Sequence, residues 1–138
     1  MDPLWKQAQT KFKAHLDTIK RKDFWCKAFT DTYAAGGKVV QDQPSDFWAL
    51  DAGTFCVLEI KTCHQAKFYF KDVRPSQFIA ARRVPAAGGI SRFIIVKLPE
   101  WQWHVVDGQE MWRLKEAGEN GITWAQMTPI KLDWEAIR

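Results

Sequence analysis

Asp46-Phe47-Trp48-Ala49-Leu50-Asp51-Ala52-Gly53-Thr54-Phe55-Cys56-Val57-Leu58-Glu59-Ile60-Lys61 decides how this chain reads. Two apolar, β-forming runs, 47–50 and 55–60, are split by Asp51-Ala52-Gly53-Thr54, a tight-turn sequence with glycine where positive φ is needed. A two-residue loop centred on Ala52-Gly53 pairs Asp51 with Thr54, Leu50 with Phe55 and Asp46 with Glu59. Directly opposed residues point to one face with Cβ atoms roughly 4.5–5.5 Å apart, and Lys61, two residues past Glu59, shares that face. Spacing alone therefore assembles two carboxylates and an ammonium at the end of an apolar hairpin. Both runs are apolar on both sides, which predicts central strands covered on each face.

Two opposed like charges destabilise a sheet, so something must offset them. Lys61 does so in a structural ion pair. A divalent cation does so better: Mg²⁺ (or Mn²⁺ in its place) is held by one or two carboxylates, with waters and substrate phosphate completing its shell. Such an ion polarises a phosphoryl oxygen and lowers the pKa of a bound water, and an adjacent ammonium orients that water or meets charge developing on phosphorus. Carboxylate, carboxylate, metal and lysine suit phosphodiester hydrolysis, with Asp46, Glu59 and Lys61 as the catalytic candidates.

Outward from the hairpin, residues 2–21 read as an amphipathic helix, with Asp2 as N-cap and Pro3 at the first helical position. Leu4, Trp5, Ala8, Phe12, Leu16 and Ile19 recur at helical steps, leaving Lys11 and Lys13 among the polar positions. A second helix over about 23–35 stops at Gly36-Gly37, followed by a short strand at Lys38-Val39-Val40. Downstream come a strand at 67–70, a helix at 75–84 closed by Pro85, strands at 91–98 and 103–107, and short helical stretches near 109–117, 124–126 and 133–138. Trp5, Trp25 and Trp48 fall on core positions by periodicity, whereas Trp101 and Trp103 flank a strand start as core or subunit contacts. The pattern is one α/β domain over 1–138.

Size agrees, since 138 residues and 16.0 kDa lie near the mode for one domain. Hydrophobic residues at 46% and charged residues at 26% argue against a disordered, collagenous or coiled-coil chain. No apolar run reaches the roughly 20 residues that span a bilayer, and Met1–Lys6 carries no signal-peptide pattern, so the expected location is the cytoplasm. Cys26, Cys56 and Cys63 form no Cys-x-x-Cys unit, which argues against a disulfide framework or structural zinc. Charge is segregated: residues 1–38 sum to +4, 39–60 to −4, 61–92 to +6 and 93–138 to −2. A wholly acidic segment between two basic ones fits a carboxylate site flanked by polyanion-holding surfaces. Lys11, Lys13, Lys67, Tyr69, Lys71, Arg74, Arg82, Arg83 and Arg92 are the candidate DNA-binding residues. Arg82 and Arg83, adjacent on a helix, cannot both face the DNA.

Pro44-Ser45-Asp46 followed by Glu59-Ile60-Lys61 resembles the signature of the PD-(D/E)XK nuclease superfamily, with a serine inserted between proline and aspartate. The likeness continues through the basic-aromatic stretch 67–70, the helix bearing Gln77, Gly88-Gly89-Ile90-Ser91, the strand Arg92–Val96 and Trp103–Val106. That order is similar to RecU-type Holliday-junction resolvases and, less closely, to archaeal-type resolvases, over about residues 38–107. The resemblance implies a central mixed β-sheet flanked by helices (the restriction-endonuclease-like fold) in a homodimer that cuts branched DNA, the four-way junction, with Mg²⁺ or Mn²⁺. It implies Asp46, Glu59 and the carbonyl of Ile60 as metal ligands, Lys61 as catalytic lysine and Gln77 as the helix glutamine supporting the site. A compact chain of this kind suits a phage, and then the host cytoplasm. One departure stands out: the first helix offers Gln7 or Gln9 where these families carry a glutamate, so an amide oxygen or water takes that place or the site holds fewer metals. The alternatives are a PD-(D/E)XK nuclease without junction preference and a non-catalytic DNA-binding module.

Overall fold

The computed structural model describes residues 2–29 and 45–138. The 47–61 stretch forms the expected hairpin: strand β2 (Phe47–Asp51) runs antiparallel to β3 (Thr54–Cys63) with Phe47 opposite Leu58, Leu50 opposite Phe55 and Asp51 opposite Thr54. Ala52 and Gly53 take φ of 49° and 87°, two successive left-handed residues. A two-residue loop of that kind matches the twist of its strands and fixes the register.

Around the hairpin, a six-stranded mixed sheet is ordered β1-β2-β3-β5-β6-β8. Its other strands are β1 (Phe24–Ala28), β5 (Ile90–Lys97), β6 (Gln102–Asp107) and β8 (Thr128–Ile130). Only β3 and β5 pair in parallel. A separate two-stranded sheet joins β4 (Lys67–Tyr69) to β7 (Gly121–Thr123). Alternation along β3 and β5 divides the core between two layers. Cys56, Leu58, Ile60, Ile94 and Val96 pack against helix α1 (Leu4–Leu16), through its Ala8, Phe12 and Leu16, and against the C-terminal helix α4 (Trp134–Ile137). Cys63, Phe93 and Ile95 pack with α2 (Pro75–Ala86), α3 (Gly108–Glu116) and the small sheet.

Several expectations need correction. Residues 24–28 are a strand rather than the start of a helix. Their aromatic and thiol side chains fit both periods, and pairing with β2 (Phe24 to Asp51, Cys26 to Ala49) decides between them. The rest of that expected helix, Gly36-Gly37 and the strand at 38–40 lie outside the described residues. The first helix is shorter than 2–21, with Pro3 at its N-cap rather than Asp2; the Asp2 carbonyl instead accepts from Gln7 Nε2 at 2.7 Å. β3 is covered on both faces, but β2 is not: α2 packs on β3 and β5, and Leu50 remains 41% exposed. For the same reason Trp25 is 49% exposed, and Trp5 also stands largely clear of the core, while Trp103 is buried. Pro85 lies inside the last turn of α2 instead of ending it; the chain leaves the helix at Gly88, φ 95°. Phe70 leaves its strand for a 3₁₀ turn, Phe70–Asp72. No described helix is long and apolar enough to cross a membrane.

Carboxylate Asp51, at the turn end of the hairpin, is fully buried and ties the C-terminus down. It accepts from Arg21 Nη2 at 2.7 Å, Trp134 Nε1 at 2.8 Å and Arg138 Nη1 at 2.6 Å. Burial pushes its pKa up, but the Trp134 and Arg21 hydrogen bonds and the Arg138 and Arg21 charges outweigh that and hold it below the usual aspartate range.

Candidate active site

At the other end of the hairpin the same register brings Asp46 and Glu59 together. Backbone N–H groups hold both carboxylates: Asp46 N–H donates to Glu59 Oε2 at 3.1 Å, and Ile60 N–H donates to Asp46 Oδ2 at 2.9 Å. Asp46 N–H also reaches Leu58 O at 3.2 Å, one residue out of the β2–β3 register. The inserted Ser45 is buried, its hydroxyl donating to Phe47 O at 3.2 Å.

Glu59 is the most constrained member. Only 4% exposed, its Oε1 receives Lys61 Nζ at 3.2 Å and Gln77 Nε2 at 2.8 Å. Gln77 sits in the first turn of α2, where its Oε1 accepts the Arg74 N–H at 3.0 Å. That bond settles which end of the amide faces Glu59, so a helix start becomes a rigid donor to the acid. Burial pushes the Glu59 pKa well above the usual range, and the Asp46 charge pushes it further than Lys61 pulls it back. Burial also raises Asp46, against the Ile60 N–H. The two acids thus resist holding two negative charges with one ammonium between them, an arrangement typical of sites that act on something.

Gln7 and Gln9 lie on α1, across the sheet from the Glu59 and Lys61 side chains, and Gln7 is spent on the Asp2 carbonyl. Among the described residues no third His, Cys, Asp or Glu completes a metal-binding cluster. The donors present are hard oxygens, which suit Mg²⁺ or Mn²⁺ rather than a thiol-seeking metal.

The candidate DNA residues separate into groups. Lys67, Tyr69 and Lys71 lie together on the α2 side, both ammoniums over the Tyr69 ring at 5.3 and 5.8 Å. Arg74 begins α2 beside Gln77. Arg82 stacks on Trp112 at 5.0 Å, whereas Arg83 lines an apolar groove with Phe55, Val84, Ala87 and Gly89. Arg92 is committed to Asp107 and to the carbonyls of Ser91 and Ile137. Lys11 lies over Trp101 and Lys13 pairs with Asp17, both on the α1 side. Sequence reasoning missed the Arg74 backbone contact that orients Gln77; glutamine three residues after a helix start was its only trace.

No protein-family model matches this sequence, and no curated protein matches it either. A solved structure does: Hjc, a Holliday junction resolvase from the archaeal hyperthermophile Archaeoglobus fulgidus, aligns with a TM-score of 0.59 over 90% of this chain and 94% of its own. The two chains share a fold. At 15% identity the likeness is one of architecture: the mixed sheet flanked by helices that carries the Asp46–Glu59 hairpin.

Proposed function

We propose that this chain is a divalent-metal-dependent endonuclease of the PD-(D/E)XK type that resolves four-way DNA junctions as a homodimer. The observation that carries the reading is the Asp46, Glu59, Lys61 and Gln77 constellation: two acids gathered on one face with a single ammonium and an amide oriented by a helix start. The archaeal resolvase fold supports the junction as substrate, and two sites related by a two-fold axis would cut two strands symmetrically.

Asp46, Glu59 and the Ile60 carbonyl would hold Mg²⁺, which when bound supplies a Lewis acid for a phosphoryl oxygen and a more acidic water. Lys61 orients the attacking water and meets negative charge as it grows on the phosphoryl oxygens. Water oxygen forms the new P–O bond while one bridging P–O bond breaks, and the departing oxygen takes up a proton. Gln77 acts as a positioning residue, holding Glu59 through Oε1.

A synthetic four-way junction and a linear duplex of the same sequence, each incubated with the protein and Mg²⁺ or Mn²⁺, test this. Paired symmetric nicks in the junction alone are expected. Equal cutting of linear duplex would replace junction resolution with general nuclease activity, and binding without cutting under either ion would make the chain a non-catalytic module.

A further inference from the structure

Among the described residues some cations sit beside a carboxylate and others over an aromatic ring, Lys11, Lys27 and Lys97 among the latter, over Trp101, Phe29 and Trp124. Lys6, Lys13, Arg21, Arg92, Arg113 and Arg138 each lie within ion-pair distance of a carboxylate away from the candidate site. Lys67, Lys71, Lys115 and Arg82 form no ion pair among the described residues. Each lies over an aromatic ring instead: Lys67 and Lys71 over Tyr69, Lys115 over Phe78 at 5.2 Å, and Arg82 over Trp112 at 5.0 Å. The difference matters because a carboxylate cancels a cation's charge, whereas a ring's quadrupole fixes the cation in place and leaves its charge intact.

Phe70, Phe78 and Trp112 form a run of ring contacts, with Tyr69 next to it in the chain. Tyr69 adjoins Phe70 in the chain, Phe70 meets Phe78 edge-on at 5.5 Å, and Phe78 lies 6.5 Å from Trp112. Phe78 and Arg82 stand one turn apart on α2, opposite Lys115 and Trp112 on α3, so the run crosses the seam between the helices. The candidate site adjoins its middle, because Gln77, which holds Glu59, directly precedes Phe78. Phe70 and Phe78 are buried, and the faces of Tyr69 and Trp112 carry cations. The band therefore offers fixed positive charge rather than the open ring faces on which unpaired bases stack.

Resting on the nuclease reading, we propose that Lys67, Lys71, Lys115 and Arg82, held over these rings, are the phosphate track for a double-stranded DNA arm running along the α2–α3 seam and past the carboxylate pair.

Salt dependence of binding tests it. Each phosphate neutralised on duplex DNA steepens the fall of log K with log salt by about 0.9. In a Lys61→Ala background, which keeps the DNA uncut, affinity for a labelled 30-base-pair duplex is measured from 50 to 200 mM NaCl with and without Arg82→Ala/Lys115→Ala. The slope is expected to flatten by about 1.8, so that the loss of affinity across that fourfold range shrinks about twelvefold. Lys20→Ala/Lys131→Ala removes the same charge from exposed positions elsewhere and is expected to leave the slope unchanged. Arg82→Gln/Lys115→Gln, which keeps most of each stem over its ring, repeats the measurement should the alanine pair fold poorly. An unchanged slope in the band variants, an equal change in the control pair, or an equal change on a single-stranded oligothymidine would overturn the assignment. A parent that binds no DNA at any salt would instead refute the nuclease reading itself.

Discussion

Without metal at pH 7.5, the Glu59→Gln protein is expected to unfold at a higher temperature than the parent. Glu59 is 4% exposed, faces Asp46, and has Lys61 as its ion-pair partner at 3.2 Å. Two like charges 4 Å apart repel by about 4 kcal/mol at an effective dielectric of 20, and an ammonium at similar range returns a comparable amount. What remains is the desolvation of a buried carboxylate, several kcal/mol in real proteins. Glutamine keeps the shape, keeps an oxygen for Gln77 and Lys61, and turns an amide toward Asp46. The Asp46 N–H still has Leu58 O at 3.2 Å. A net gain of about 1–3 kcal/mol follows, raising the unfolding midpoint by about 3–10 °C for a chain of this size.

Linkage supplies a second arm. Both site carboxyls have pKa values raised by folding. The native state therefore binds their protons more tightly than the unfolded chain, and its advantage is complete below the unfolded value near 4. That advantage is lost as pH rises through the higher folded values. The parent should lose more stability than Glu59→Gln over this window. Mg²⁺ should then reverse the ranking, because saturation at 100 times Kd adds about 2.7 kcal/mol to a protein that binds it and nothing to one that does not. Thermal unfolding by circular dichroism, with EDTA or Mg²⁺ across pH 4–8, reads all three effects. A structural ion pair predicts the opposite sign: a loss of about 3–5 kcal/mol in Glu59→Gln and no response to Mg²⁺. That result would refute the reasoning.

Gln77→Leu strands the Arg74 N–H and removes the donor to Glu59; the Mg²⁺ concentration for half-maximal cleavage should rise about 10–100-fold, the usual effect of losing a residue that orients a ligand. Asp51→Ala leaves the buried Trp134 indole N–H and the Arg138 guanidinium without their acceptor and leaves Arg21 with Asp23 alone. Denaturant unfolding should show a loss of about 3–5 kcal/mol, with cleavage retained at low temperature because Asp51 lies at the far end of its strand from Asp46. Because folding lowers the Asp51 pKa, its contribution holds above the unfolded value and disappears as pH falls through the folded one, so Asp51→Ala should lose less stability than the parent below pH 4. Calorimetric titration of the parent with Mg²⁺ is expected to saturate at one ion per chain, and a two-ion isotherm would contradict the donor set described above.

The hairpin was legible because its information is local. Ala52-Gly53 selects a two-residue loop, the loop sets the register, and a period of two carries Asp46, Glu59 and Lys61 to one side. Gln77 was legible only through family resemblance, since nothing in a helical glutamine announces the acid it faces. β1 was misread because Phe24, Trp25, Cys26, Ala28 and Phe29 satisfy helical and strand periods equally, and only the neighbouring strand chooses. β7 and β8, three residues each, carry too few side chains to show a period. The α2–α3 seam was invisible for a different reason: Phe78 and Arg82 meet Lys115 and Trp112 across thirty residues or more, and no pattern within either helix names its partner.

Charge balance gives the missing helix glutamate a meaning beyond absence. Asp46 and Glu59 contribute −2 when ionised and Lys61 contributes +1, so the bare site carries −1 in a buried setting, which its raised pKa values register as resistance to ionising. One Mg²⁺ turns that into +1, and a phosphodiester's single negative charge then closes the sum. A second divalent ion would leave +3 against one phosphate, an imbalance that a third carboxylate reduces. Among the described residues no third carboxylate joins the pair: α1 offers Gln7 and Gln9, neutral amides on the other side of the sheet, and Gln7 is already bonded to a carbonyl. The same sum gives Lys61 its role in the proposed reaction: without it, one ion and one phosphate would leave the site at −1 as negative charge grows on the phosphoryl oxygens. On the proposed reading a two-acid, one-lysine site is complete with a single ion, and a first helix without a carboxylate is expected to lower the metal count rather than abolish cleavage.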